Sequence, residues 1–119
     1  MADDISAGRV LWVELSPRGQ GKRRPAVALN APDRDGLVYV VVGSASCEPS
    51  DLSVAFELPW HPAGHCRTRL KKRTILDLAW IECISVSEIK DIGGVLPGRN
   101  LDAMQEKIRR AKQIPREDK

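Results

Sequence analysis

Apolar positions along the chain fall in short runs separated by Gly, Pro and small polar clusters, a spacing that favours strands over helices for most of its length. The run Arg9-Val10-Leu11-Trp12-Val13-Glu14-Leu15 follows Gly8, is rich in β-branched and aromatic residues, and predicts a first strand. Ser16 to Gly21, with one Pro and two Gly, predicts a loop. A second strand is expected over Pro25 to Asn30, with proline only at its first position, where a missing donor is tolerated. After the turn cluster Ala31-Pro32-Asp33-Arg34-Asp35-Gly36, Leu37 to Gly43 is nearly all apolar and reads as a strand buried on both faces. Ser44 to Ser50 is small, polar and loop-like; Val54 to Leu58 predicts a short strand closed by Pro59. Trp60 to Arg69, with two His, a Pro and a Gly, predicts an exposed loop. Thr74 to Val86 predicts one strand, or two with a bend near Ala79-Trp80, and Ser87-Glu88-Ile89 a single helical turn.

Gly93-Gly94 and Pro97-Gly98 punctuate the approach to the one helical pattern, expected from Leu101 to about Lys112 with Asn100 as N-cap. There Leu101, Met104, Ile108 and Ala111 form one apolar stripe, and Asp102 near the start and Arg109, Arg110 and Lys112 near the end suit the helix dipole. The tail from Pro115 is expected to fray. Short strands followed by one helix predict a mainly β fold: a small curled antiparallel sheet or barrel covered by a C-terminal helix. At 119 residues this is expected to be one domain, with its core over about 8–112 and residues 1–7 and 113–119 frayed.

Composition sharpens this reading. Aromatics make up only 4% of the chain, so Val, Ile, Leu and Ala must fill the core. No apolar run approaches the length of a membrane span. The opening Met1-Ala2-Asp3-Asp4 is acidic rather than basic-then-apolar, as a secretion signal would be. Cys47, Cys66 and Cys83 are odd in number and far apart, which supports neither a disulfide framework nor a zinc site and predicts buried or inert thiols in a cytoplasmic protein. No metal or cofactor is expected.

The net charge of +3 is unevenly placed. Residues 1–60 carry six Lys/Arg against eight Asp/Glu, and residues 61–119 thirteen against eight. Arg67, Arg69, Lys71, Lys72 and Arg73 form one basic run and Lys22-Arg23-Arg24 a second cluster. Such clusters point to a polyanion, nucleic acid first; the alternative is a solvated basic face with no partner.

Several ordered pieces resemble the MazF/PemK (Kid) family, the toxins of type II toxin–antitoxin pairs. Gly8-Arg9-Val10-Leu11-Trp12-Val13-Glu14-Leu15-Ser16-Pro17 is similar to the family's opening strand, and Arg24-Pro25-Ala26-Val27-Ala28-Leu29 to its Arg-Pro strand start. Leu70-Lys71-Lys72-Arg73-Thr74-Ile75-Leu76 resembles the step into a late strand, and Ile92-Gly93-Gly94-Val95-Leu96 with the Met104 helix the family's ending. The resemblance spans roughly residues 8 to 112. It implies an SH3-like β-barrel with helices, of the MazF/PemK/CcdB type, usually a homodimer. It further implies a metal-independent endoribonuclease that cuts single-stranded RNA at short sequences and is silenced by a cognate antitoxin.

Such cleavage uses the neighbouring 2′-hydroxyl as nucleophile and leaves a 2′,3′-cyclic phosphate and a 5′-hydroxyl. It needs a proton acceptor, a donor for the leaving oxygen and positive charge over the phosphorane. Arg24 occupies the family's arginine before proline, and its fork suits phosphate oxygens; the plain alternative is an arginine holding a loop. Ser44 falls where relatives place a hydroxyl after the third strand, to bond the scissile phosphate or simply to satisfy a strand end. The sequence departs from the family in two places. The first loop carries no carboxylate, and the late strand reads Ala79-Trp80-Ile81-Glu82 where relatives often read [Asp/Glu]-Gln-x-Arg. Asp77 can supply a displaced carboxylate on the face of Ala79 only if no bulge intervenes. His65, and His61 beside it, offer an acid or base of suitable kind. Lys22, Arg23, Arg67, Arg69, Lys71, Lys72 and Arg73 are expected along the RNA backbone. Trp80 either stacks a base or fills the core. Two further readings stay open: a catalytically weakened RNA- or antitoxin-binding relative, and a protein-targeting toxin like CcdB, which shares the barrel.

Overall fold

The computed structural model describes residues 5–15, 22–44 and 52–113. Six strands follow one another in the chain: β1 Arg9–Glu14, β2 Arg23–Ala28, β3 Leu37–Ser44, β4 Ala55–Glu57, β5 Ile75–Ser85 and β6 Ile89–Val95. Helix α1 closes the chain over Gly98–Gln113. The strands form one antiparallel sheet in the order β4-β5-β3-β2-β1-β6.

Strict alternation divides the apolar residues of this sheet between two cores. Leu11 and Val13, Ala26 and Ala28, and Val38, Val40 and Val42 point to one face and form an inner cluster with Ile84 of β5 and Ile89 of β6. Residues from an edge strand and from a strand near the opposite edge thus meet in one cluster, so the sheet is curled on itself. It is not a ring: among the described residues no ladder joins β4 to β6. The intervening Val10, Val27 and Val41 point outward into a second cluster with Leu58, Leu70, Leu76, Leu78, Leu96 and Met104. Helix α1 covers this outer face through Leu101, Met104 and Ile108, and Lys107 Nζ donates to the Ala55 carbonyl at 2.6 Å. This matches the expected mainly β fold under a C-terminal helix.

Several boundaries differ from expectation. The second strand begins at Arg23, not Pro25, and ends at Ala28. Pro25 is tolerated inside it because the β2–β3 register starts only at Ala26. The long apolar run of β3 is not covered throughout, since Leu37 and Tyr39 are exposed. Expected strand Val54–Leu58 is a 3-10 turn, Leu52–Val54, followed by the shorter β4. The turn expected at Ser87–Ile89 lies one residue earlier, Val86–Glu88, closed by a Ser85–Glu88 capping box. The helix starts at Gly98, with Pro97 O accepting from the Asn100 and Leu101 amides, so Asn100 lies in the first turn rather than at the cap. Strand β6 runs through Gly93-Gly94, where the sequence predicts only punctuation before the helix. Of the thiols expected to be buried or inert, Cys66 is half-buried, Cys83 is exposed, and Cys47 lies outside the described residues.

The loop of residues 58–74 is more than an exposed connection. Thr68 and Leu70 are buried, and Thr68 Oγ1 donates to the Pro59 carbonyl at 2.7 Å. The loop is pinned on β6, where the Gly94 amide donates to Thr68 O at 3.0 Å and the Val95 amide to Arg67 O at 2.8 Å. A Cβ at position 94 would collide with the Arg67 carbonyl. The sequence supplies glycine where two backbones must touch.

Candidate nucleic-acid interface

Arg24 enters the site through the β2–β3 register. Ala26 pairs with Val42 and Ala28 with Val40, and both pairs face the inner cluster. Carried two residues further, the same register sets Arg24 opposite Ser44, with side-chain parity on the inner side at one end of the sheet. Ser44 in turn pairs with Ile75, the first residue of β5. Beyond it, β5 is irregular. Val41 pairs with Ile81 but Gly43 with Leu76, so two steps on β3 oppose five on β5. The extra residues lie within 77–80 and turn Trp80 to the inner face, where it packs on the core while Leu78 and Ile81 stay outside. The bend expected near Ala79-Trp80 is this bulge.

Its effect is to bring Trp80 beneath Arg24. The guanidinium carbon lies 5.6 Å from the indole centroid, a cation–π contact spanning β3. The indole Nε1 donates to Glu82 Oε2 at 2.8 Å. Arg24, Trp80 and Glu82 therefore form one row of cation, ring and carboxylate, and Trp80 is both core filler and platform. A guanidinium can bind phosphate oxygens bidentately, and a carboxylate can accept a proton.

The register of β5 breaks between Leu76 and Ile81, close to Asp77, and the Asp77 carboxylate accepts from the Ala79 amide at 3.0 Å. His65 stacks on His61, ring centroids 5.1 Å apart and planes at 20°, and His61 Nδ1 accepts from the Ala63 amide. Both rings are exposed in the 58–74 loop.

The basic residues are exposed but not equivalent. Arg23 stands opposite Glu14 in the β1–β2 register, and Arg73 pairs with Glu57 at 3.4 Å, so part of its charge is already compensated. Arg67, Arg69, Lys71 and Lys72 project from the pinned loop, and Lys22 precedes β2. Arg69 has φ +62°, uncommon for a residue with a Cβ. Among the described residues no group of three or more His, Cys, Asp or Glu is arranged to hold a metal ion. None of their helices is long and apolar enough to cross a membrane.

No protein-family profile matches the sequence, and no curated protein matches it either. Solved structures do. MazF from Deinococcus radiodurans matches with a TM-score of 0.68 at 17% identity, over 90% of this chain and 94% of that one. The fold is that of the MazF toxins. A MazE–MazF complex from the same organism matches at TM-score 0.64 and 15% identity, covering 90% of this chain and 94% of its own. Toxin MazF-mt6 of Mycobacterium tuberculosis matches at 0.59 and 17%, covering 87% and 95%. The MazF likeness thus extends over nearly the whole of each chain. Within this MazF fold the residue that sequence reasoning passed over is Glu82. Period-two spacing from Trp80 carried the signal, since a strand puts the two side by side on one face.

Proposed function

We propose that this chain is the toxin of a type II toxin–antitoxin pair: a cytoplasmic, single-domain, homodimeric endoribonuclease that cuts single-stranded RNA through the 2′-hydroxyl and needs no metal. The observation that supports the reading is the Arg24 guanidinium over the Trp80 ring, in a sheet with the MazF fold. In this reading Arg24 neutralises the phosphorane and the Ser44 hydroxyl binds a non-bridging oxygen. Glu82, bonded to the indole on which the arginine rests, takes the 2′-hydroxyl proton, with Asp77 as the alternative acceptor. Lys22, Arg23, Arg67, Arg69, Lys71 and Lys72 hold the flanking phosphates. His65 is the candidate for proton transfer to the leaving oxygen. The solved MazE–MazF complex of a similarly folded chain supports an antitoxin as the natural inhibitor.

The test is cleavage of a long, unstructured, end-labelled RNA in EDTA by wild type and Arg24→Ala. Discrete cuts with cyclic phosphate ends are expected, reduced about 10²–10³-fold by the substitution, the cost of removing one preorganised donor to developing charge. Salt-sensitive RNA binding without cuts would overturn the catalytic half and favour the weakened-binder reading, which the missing carboxylate at Ala79 supports. Neither cuts nor binding would direct attention to a protein target.

A further inference from the structure

The outer face of β1 carries a feature that the catalytic reading does not use. A cavity of about 300 Å³ opens between Trp12 and residues Arg69, Leu70, Lys71, Lys72 and Thr74 of the pinned loop. Its position is fixed by register. Trp12 pairs with Pro25 and Val13 with Arg24, so the cavity and the Arg24 row lie back to back, one residue apart, on opposite faces of the same two strands. An extended chain that reached both would pass over the rim at this end of the sheet.

We propose that this cavity is a subsite for one unstacked nucleobase of the RNA, flanking the nucleotide held at Arg24; the proposal rests on the RNA reading above. Four observations select a base. First, the half-buried Trp12 presents a ring to the cavity, and base–indole stacking tolerates any base. Second, Leu70 closes the wall and is itself buried, so the interior is apolar while the rim is cationic. Arg69, Lys71 and Lys72 are all exposed at that rim, which suits a neutral planar group tethered on both sides to phosphates. Third, Thr74 lines the same wall and its hydroxyl donates to the Lys72 carbonyl at 3.0 Å, so the backbone that carries the rim lysines is held in place beside the cavity. Fourth, the wall is rigid before any ligand arrives. Thr68 Oγ1 holds the Pro59 carbonyl and receives the Leu70 amide, Leu70 O receives the His61 amide, and the Arg67 and Thr68 carbonyls are tied to β6. Arg69 is held at φ +62° within this frame, and such conformations concentrate at ligand sites.

Two-dimensional NMR of the indole N–H groups, read with the backbone amides, separates the faces, because Trp12 and Trp80 report on opposite sides of the sheet. The probe is a single-stranded RNA hexamer carrying 2′-O-methyl groups, which cannot be cut through that hydroxyl. A second titration uses an Asp/Glu-rich decapeptide with one Trp. Trp12→Phe assigns its signal, and backbone assignment serves if that variant does not fold. The proposal expects the Trp12 indole and the 69–74 amides to shift saturably with RNA. Lys71→Ala with Lys72→Ala, both exposed positions, should lower the slope of log affinity against log salt by about 1.4, two single-strand phosphate contacts. A shift of Trp80 with Trp12 unmoved would overturn the subsite and leave the RNA reading standing. No shift at either would overturn both. A shift of Trp12 by the peptide but not by RNA would overturn the base subsite and assign the cavity to an acidic protein segment.

Discussion

Replacing Gly94 by alanine adds one methyl group at the tightest backbone approach described in the fold. The new Cβ would meet the Arg67 carbonyl and the Thr68 carbonyl, and neither is the end of a flexible side chain. Two outcomes bound the cost. If the backbones move apart by a fraction of an ångström, the penalty is that of overpacking, about 1–3 kcal/mol. If the loop leaves β6, the amide bonds from Gly94 and Val95 are lost, at about 1 kcal/mol each. Exposure of Leu70, now 4% accessible, adds roughly 1.5–3 kcal/mol. The expected loss therefore lies between about 1 and 5 kcal/mol, against the 5–15 kcal/mol typical of a domain. Urea denaturation followed by far-ultraviolet circular dichroism measures it, with the slope showing whether the native state has itself loosened. Gly98→Ala is the control. Nothing lies within 4 Å of its Cβ, it sits in the first turn of α1, and its stability should hold or rise by up to about 1 kcal/mol. A Gly94→Ala loss below about 1 kcal/mol would refute the argument that this contact is tight.

Other expectations follow from the same geometry. Met104→Ala, at a fully buried position between helix and sheet, should cost about 2–5 kcal/mol in equilibrium unfolding. Trp80→Phe keeps a ring beneath Arg24 but removes the donor to Glu82, so RNA cleavage should stay within about tenfold of wild type, some 1.4 kcal/mol of barrier. Trp80→Ala, which removes the platform, should lose activity as Arg24→Ala does; equal cleavage by both Trp80 variants would separate the ring from the arginine's role.

The chain's patterning declared its strands wherever alternation ran unbroken. Arg9–Leu15 and the apolar run from Leu37 located β1 and β3, and the stripe of Leu101, Met104 and Ile108 located the helix. Strand β6 was hidden because glycine weakens a strand's local signal, while its reason for being there, the close approach of residues 67–68, is non-local. Pro25 misplaced the start of β2 for a similar reason: whether a missing donor matters depends on where the neighbouring ladder begins. At the candidate site, Arg24 and Ser44 came from the resemblance to the MazF/PemK family rather than from patterning, and a bend near Ala79-Trp80 was one of two readings, without its register. Nothing within residues 77–80 states how many residues of β3 they will oppose, and so nothing there foretold that Trp80 would lie under Arg24 with its Nε1 on Glu82.

The docking of the 58–74 loop on β6 also bears on how the chain avoids self-association. β6 is the last strand of the sheet, and an uncovered outer strand is a template for another molecule's backbone. Near its C-terminal end the Gly94 and Val95 amides are already occupied by carbonyls of a segment rich in Arg and Lys, which adds like-charge repulsion to the steric cover. A change that frees this loop therefore does two things at once: it lowers stability, and it offers a strand edge to neighbouring copies. Loosened variants should consequently scatter light in proportion to concentration during refolding, and added salt, by screening the basic segment, should make that association worse.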